Sequence, residues 1–220
     1  MSKLPAIIVA AGFSHRMGFD KLAAPLAGKS VLARTLETFL ACDAITEIIL
    51  VAPPERMALL EEITLTKPLR RVDGGMQRHL SVANGLAAAS SDAELIAIHD
   101  AARPLVSQTD ILSTLEAARE HEAASLARRV TETLKRSDDS DFTLSSITRE
   151  NLWFMETPQI FQADLIRRAY AHILGKKILV TDEASAIESL GKTVKLVPST
   201  SPNPKITIPA DLETLNLKWP

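Results

Sequence analysis

A single cysteine, Cys42, occurs in the 220 residues. One thiol can form neither an intrachain disulfide nor a cysteine-rich metal site, and it suits a reducing cytosol. Positive charge is not in excess: 25 Lys and Arg meet 27 Asp and Glu, for a net charge of −2. Nucleic-acid binders usually carry a large positive excess, so that class is disfavoured. No apolar run approaches the roughly 18 residues needed to span a bilayer. The N-terminal run 6–11 is too short for the core of a signal peptide and ends at Gly12. Internal repeats and low-complexity segments are also missing. These absences leave a cytoplasmic globular protein with neither a nucleic-acid nor a membrane partner. Its apolar share of 46% and charged share of 24% are ordinary, and the length permits one sizeable core.

What is present is an alternation of two periodicities. Apolar, β-leaning runs fall at 5–11, 47–51, 70–73, 94–99 and 123–130. Helical patterns lie between them at 30–42, 54–62, 77–89 and in a segment ending near 120, which Ser107 or Thr109 could cap. The order predicts an α/β fold: a Rossmann-like, mostly parallel sheet with helices on both faces. Between 131 and 160 the pattern changes. Two polar segments flank a turn at 137–141 and read as a protruding β-arm over 131–152, within one domain spanning 1–220. A hairpin alone is marginally stable, so the arm is expected to rest on something, such as a second subunit. Later come helices at 162–174 and 182–190, strands at 193–198 and 205–208, and a closing helix at 209–217.

Three motifs follow strands, where doubly wound sheets bind ligands. The first is AAGFSHRM from Ala10 to Met17, with Lys21 just beyond. Gly12 permits close backbone approach to an anion, and Arg16 and Lys21 add positive charge. Familiar phosphate motifs do not account for this loop. A Walker A reading of Gly28-Lys29-Ser30 would need glycine at position 23, which is Ala23, and Gly12 is followed by Ser14 and Met17 where G-x-G-x-x-G needs glycines. The second motif, Asp73 to Ser81, places Gly74 and Gly75 before a helix, with Ser81 about one turn in. The third, HDAARP, places Asp100 at a strand end, where a carboxylate can hold Mg²⁺ beside phosphates. Arg103 offers a guanidinium fork for phosphate. His99 reads as a satisfied core histidine. Thr181, before Asp182, is a natural helix N-cap, and Lys205 sits in a short polar strand. Each motif alone also fits an ordinary turn or cap.

Together, in this order, AAGFSHRM, the DGG…R…S block, HDAARP, RENLWFMETPQIF, TDEAS and NPKIT resemble the 2-C-methyl-D-erythritol 4-phosphate cytidylyltransferase family. The likeness runs from about Ile7 to Leu215. It implies a CTP site and a sugar-phosphate site. Ala10, Ala11, Gly12, Arg16 and Lys21 match triphosphate-holding positions, and Gly75 and Ser81 match cytosine-recognising ones. Asp100 matches the metal-associated carboxylate and Lys205 a lysine near the reacting phosphates. Arg103, Thr133, Arg149 and Thr181 match positions around the sugar phosphate. The implied chemistry is CMP transfer from CTP to the polyol phosphate with Mg²⁺, in a homodimer joined by the arm. Val9, Met76 and a short 16–21 segment depart from the family pattern. The residues also leave open a cytidylyltransferase for another polyol phosphate, such as ribitol 5-phosphate, or a non-catalytic nucleotide-binding protein on the same fold.

Overall fold

In the computed structural model, residues 3–12 and 17–219 are described. Strand β1 (Pro5–Val9) is followed by a small hairpin, β2 (Pro25–Leu26) and β3 (Lys29–Ser30), and by helix α1 (Val31–Ala41). Next come β4 (Glu47–Val51), a 3₁₀ helix (Pro54–Glu62), β5 (Leu69–Val72), α2 (Arg78–Ala88), β6 (Leu95–Asp100), α3 (Gln108–His121) and β7 (Ala123–Arg129). Strands β8 (Leu134–Ser137), β9 (Thr143–Ile147) and β10 (Trp153–Gln162) lead to α4 (Ala163–Lys176), α5 (Glu183–Glu188), β11 (Lys195–Pro198) and α6 (Pro209–Lys218).

Seven strands form the main sheet in the order β11-β7-β10-β6-β1-β4-β5. Pairings among β5, β4, β1 and β6 are parallel, as is β11 with β7. Strand β10 runs antiparallel between β6 and β7. The α/β sheet with helices on both faces agrees with the sequence reading. Its central strands are apolar runs because both faces are covered: Ile8 and Ala6 join one core cluster, while Ile7 and Ile98 join the other. Helix α1 starts where expected because the Ser30 side chain accepts from the Ala33 amide at 3.2 Å. Of the two candidate caps for α3, Ser107 serves, accepting from Asp110 N at 3.0 Å.

Strand β10 is the element that sequence periodicity does not reveal. Pro158 argues against an interior strand, since it has no amide to donate. It is accommodated because the β10–β7 register shifts between Met155 and Gln159. Two other expectations change. Asp182, not Thr181, caps α5, its carboxylate accepting from Ser185 N at 3.0 Å. Residues 205–208 form no strand. They lie along β6's end through one backbone bond, Ile206 N to Ala102 O at 2.9 Å. Strands β8 and β9 pair with each other in a separate two-stranded sheet, matching the hairpin expected within 131–152.

Candidate active site

The parallel strands β1 and β6 end side by side, Val9 opposite Asp100. The loops leaving those ends therefore share one rim. A pocket of about 280 Å³ opens there, lined by Ala10, Ala11, Gly12, Lys21, Gly75 and Ser81 on one side and by Arg78, Asp100 and Lys205 on the other. A second pocket of about 220 Å³ shares Arg78, Asp100 and Lys205 and adds Arg103, Glu156 and Thr181. Small-molecule sites commonly occupy such clefts at strand ends.

An arginine that the sequence reading passed over shapes the first loop. Arg56, from the 3₁₀ helix, is nearly buried. Its guanidinium donates to Ala10 O, to Gly12 O at 3.1 Å and to both Asp20 oxygens at 3.0 and 3.1 Å. It thus ties the start of the loop to its end. Lys21, the next residue, donates from Nζ to Ile206 O at 2.7 Å. Among the described residues, nothing lies within 4 Å of where a Gly12 side chain would begin. Arg16 falls outside the described residues.

Beside the first loop, the two glycines serve the protein's own packing. A Cβ on Gly74 would fall 2.2 Å from Ala11 Cβ, and one on Gly75 2.4 Å from Leu80 Cβ. Only glycine lets this turn press against the first loop. Ser81 closes the turn: its hydroxyl accepts from Gly75 N at 3.0 Å. Met76 is fully exposed at the rim.

Asp100 forms the floor between the two pockets. Burial alone would raise its pKa, but Arg78, Lys205 and Arg103 hold the carboxyl well below the usual range. Oδ1 accepts from Arg78 Nε at 3.0 Å and Oδ2 from Lys205 Nζ at 2.8 Å. His99 is buried behind it, as the sequence reading held. Thr157 Oγ accepts from Asp100 N at 3.1 Å, so its own proton goes to His99 Nδ1 at 3.0 Å. Nε2 then donates to Arg103 O at 3.1 Å. Both ring nitrogens are satisfied in the neutral form. Burial first, with only partial opposition from Asp100, lowers the pKa of His99 to about 3.

The segment carrying Lys205 is held by side chains in place of a strand ladder. Buried Asp110 accepts from Thr200 N and Thr200 Oγ, both at 2.8 Å. Asn203 donates from Nδ2 to Thr157 O at 2.9 Å and receives Arg103 Nη1 on its carbonyl at 2.7 Å. Arg103 also donates to Met155 O at 3.2 Å, and its buried Nε lacks a hydrogen-bond partner. Much of Arg103's fork is therefore spent on the backbone, and Nε lies 3.9 Å from Asp100 Oδ2.

Ala10, Ala11, Gly12, Lys21, Gly75, Ser81, Asp100 and Lys205 thus meet at one pocket, and Arg103 and Thr181 at its neighbour. Thr133 and Arg149 line neither. Both are exposed at the base of the arm, where Arg149 donates to Thr131 O. Arg56, Arg78 and Glu183 are the structural surprises. Arg78 and Glu183 sit inside motifs already noted in the sequence, the DGG…R…S block and TDEAS. Their pairing spans 105 residues and has no local signature.

Among the described residues, no group of three or more His, Cys, Asp and Glu could hold a metal. Asp100 is the sole described carboxylate lining the first pocket, and each of its oxygens already accepts one bond. A carboxylate has further lone pairs, and Mg²⁺ commonly takes one or two carboxylates together with substrate phosphates. The donor set therefore fits a cation that arrives with a triphosphate, not a resident one.

Known proteins resemble this chain in sequence and fold. Residues 4–217 match the family IspD, 2-C-methyl-D-erythritol 4-phosphate cytidylyltransferase. A protein of that name from Caldanaerobacter subterraneus is 39% identical, covering 96% of both chains. Another from Aeromonas hydrophila is 38% identical over 97% of this chain and 88% of its own. Among solved structures, 4-diphosphocytidyl-2C-methyl-D-erythritol synthase from Anaerococcus prevotii superposes with a TM-score of 0.86 at 31% identity, covering 98% of this chain and 97% of that one. The Francisella tularensis 2-C-methyl-D-erythritol 4-phosphate cytidylyltransferase gives 0.85 at 29% identity, covering 98% and 99%.

Proposed function

The chain belongs to the 2-C-methyl-D-erythritol 4-phosphate cytidylyltransferase family, and we infer that it transfers CMP from CTP to 2-C-methyl-D-erythritol 4-phosphate, releasing pyrophosphate, as a step toward isoprenoid precursors. The observation that carries this reading at the level of atoms is the meeting of Lys21, Arg78, Lys205 and Asp100 where two pockets adjoin. One pocket is lined by the Gly12 loop and Lys21 and suits a triphosphate. The other, with Arg103 and Thr181, suits a phosphorylated acceptor.

In this reading an acceptor phosphate oxygen attacks the α-phosphorus of CTP. A new P–O bond forms as the bond to the β-phosphate oxygen breaks, and pyrophosphate leaves with its electron pair. No general base is required, because a phosphate monoester with a second pKa of about 6 is mostly dianionic at neutral pH. The residues position and stabilise charge. Ala10, Ala11, Gly12, Arg16 and Lys21 hold the triphosphate, with Arg16 and Lys21 stabilising charge at the α-phosphate and leaving group. Gly75 and Ser81 present the backbone turn against cytosine. Lys205, oriented by Asp100, and Arg103 receive the acceptor phosphate, with Thr181 at the pocket's edge. Mg²⁺, when bound, supplies neutralising charge along the triphosphate, and Asp100 is the residue that would hold it.

Thr133 and Arg149 are assigned to the acceptor site of a second copy. The arm supports this: Phe142 and Leu144 are 72% and 62% exposed on a hairpin that has no third strand. A homodimer joined through the arm would cover them. A cytoplasmic location is consistent with one buried thiol and no disulfide.

Pyrophosphate release with Mg²⁺, CTP and a panel of polyol phosphates tests the reading, repeated with ATP, GTP and UTP. Turnover is expected with methylerythritol phosphate and CTP. Turnover only with ribitol 5-phosphate would move the substrate and spare the reaction. CTP binding without release from any acceptor would leave a nucleotide-binding protein.

A further inference from the structure

Behind the pocket lies an ionic chain that substrate contacts do not explain. Glu183, the first residue of α5, is fully buried. Its two oxygens receive Arg78 Nη1 at 2.7 Å and Nη2 at 3.1 Å. Tyr170 of α4 donates its hydroxyl to Glu183 Oε1 at 3.0 Å. Burial and the neighbouring Glu183 carboxylate push the Tyr170 pKa far upward, so the phenol stays a donor. Burial would lower the pKa of Arg78, but Glu183 and Asp100 raise it well above its ordinary value, so the guanidinium stays charged. Arg78 leaves α2 and ends with Nε on Asp100 Oδ1.

We propose that Arg78 and Glu183, backed by Tyr170, are positioning residues that fix the orientation of the Asp100–Lys205 pair for attack by the acceptor phosphate. This rests on the transfer reaction inferred above. The reasoning is geometric. A bidentate fork fixes the plane of a guanidinium. With both Nη atoms held by Glu183, Nε has one direction left, and Asp100 Oδ1 lies along it. The carboxylate cannot then rotate, and Oδ2 is presented to Lys205. A buried ion pair is weak evidence for stability, since apolar residues of similar volume often serve as well. Orientation is what such a pair supplies and an apolar pair cannot.

The strut bonds to Asp100 and not to Gly75 or Ser81, which separates two readouts. A helix anchor alone would loosen the start of α2 and weaken CTP binding together with turnover. A positioning strut changes turnover and acceptor KM while CTP affinity holds. We would measure kcat, KM for methylerythritol phosphate and calorimetric CTP Kd for Glu183→Gln, Arg78→Lys, Tyr170→Phe, Asp100→Asn and the Glu183→Gln/Asp100→Asn double variant. Glu183→Gln is expected to lower acceptor kcat/KM by roughly 10–100-fold, the scale of a misplaced reacting group, with CTP Kd within about threefold. Tyr170→Phe should show the same pattern more weakly. The double variant should lose less than the product of its singles, because both act through one carboxylate. Should Glu183→Gln fail to fold, Arg78→Lys and Tyr170→Phe carry the same test. Unchanged turnover in Glu183→Gln and Tyr170→Phe, fully multiplicative losses, or CTP affinity of those two single variants falling in step with kcat would overturn the strut alone. A wild-type protein that releases no pyrophosphate would overturn the transfer reading and the strut with it.

Discussion

The carboxyl edge of the main sheet and the β8–β9 arm hold their charged residues in opposite ways. At the edge, Asp100, Arg78, Glu183, Arg56 and Arg103 are bonded to one another or to backbone, and the strands beneath them are buried. On the arm, Thr133 and Arg149 stand in solvent and the strands bond only to each other. Preorganised charge needs partners that hold it before substrate arrives. The edge has them within one chain. On the arm, the partner of Arg149 is an exposed carbonyl, Thr131 O, so its geometry is less firmly held. In the proposed reading the edge is the site, and the arm contributes to that of a second copy.

The largest effect should come from the edge. Lys21→Ala removes a positioned cation and is expected to cut kcat by at least roughly 10²–10³-fold, with circular dichroism and melting unchanged. Wild-type turnover in that variant would break the edge's half of the comparison.

The arm should matter next. Arg149→Ala is expected to lower acceptor kcat/KM by roughly 10–100-fold. If arms cross between subunits, unfolding and refolding Arg149→Ala together with Lys21→Ala yields mixed dimers with one intact site. About one quarter of wild-type activity should return on random pairing. No recovery would mean that Arg149 serves its own chain, which would erase the contrast.

The smallest effect sharpens the description of the buried side. His99 is held neutral in the fold, its pKa lowered to about 3, whereas an unfolded histidine has a pKa of about 6.5. Between those values the unfolded chain binds the extra proton, so this contribution to stability is whole above about pH 6.5. It is lost as pH falls, at no more than about 1.4 kcal/mol per unit. In urea unfolding at pH 7 and pH 5, the gap between wild type and His99→Gln should narrow at pH 5. A gap that is the same at both values would contradict a neutral His99.

What the sequence made legible follows the range of the physics involved. Strand β1 with its Gly12 loop, helix α1 with its Ser30 cap and the HDAARP turn are set by residues close in the chain, and periodicity and capping find them. Strand β10 stayed hidden because Pro158 and polar Glu156, Thr157 and Gln159 mask an interior strand, and only the register shift against β7 admits them. Thr181 looked like a cap because it precedes the helix, but Asp182 makes the bond. Arg56 and the Arg78–Glu183 pair join elements far apart in sequence, where no local pattern marks them. Glycine was legible as a need for closeness, yet its neighbours differ: Gly74 makes room for Ala11, while no described residue comes within 4 Å of a Gly12 Cβ.

The transfer itself is most directly tested by supplying methylerythritol phosphate labelled with ¹⁸O in its phosphate, together with CTP, and following the reaction by ³¹P NMR. Attack on the α-phosphorus predicts a coupled diphosphate pair in the product, with the label retained there and the released pyrophosphate unlabelled. Label in the pyrophosphate, or two uncoupled phosphorus signals in the product, would contradict it.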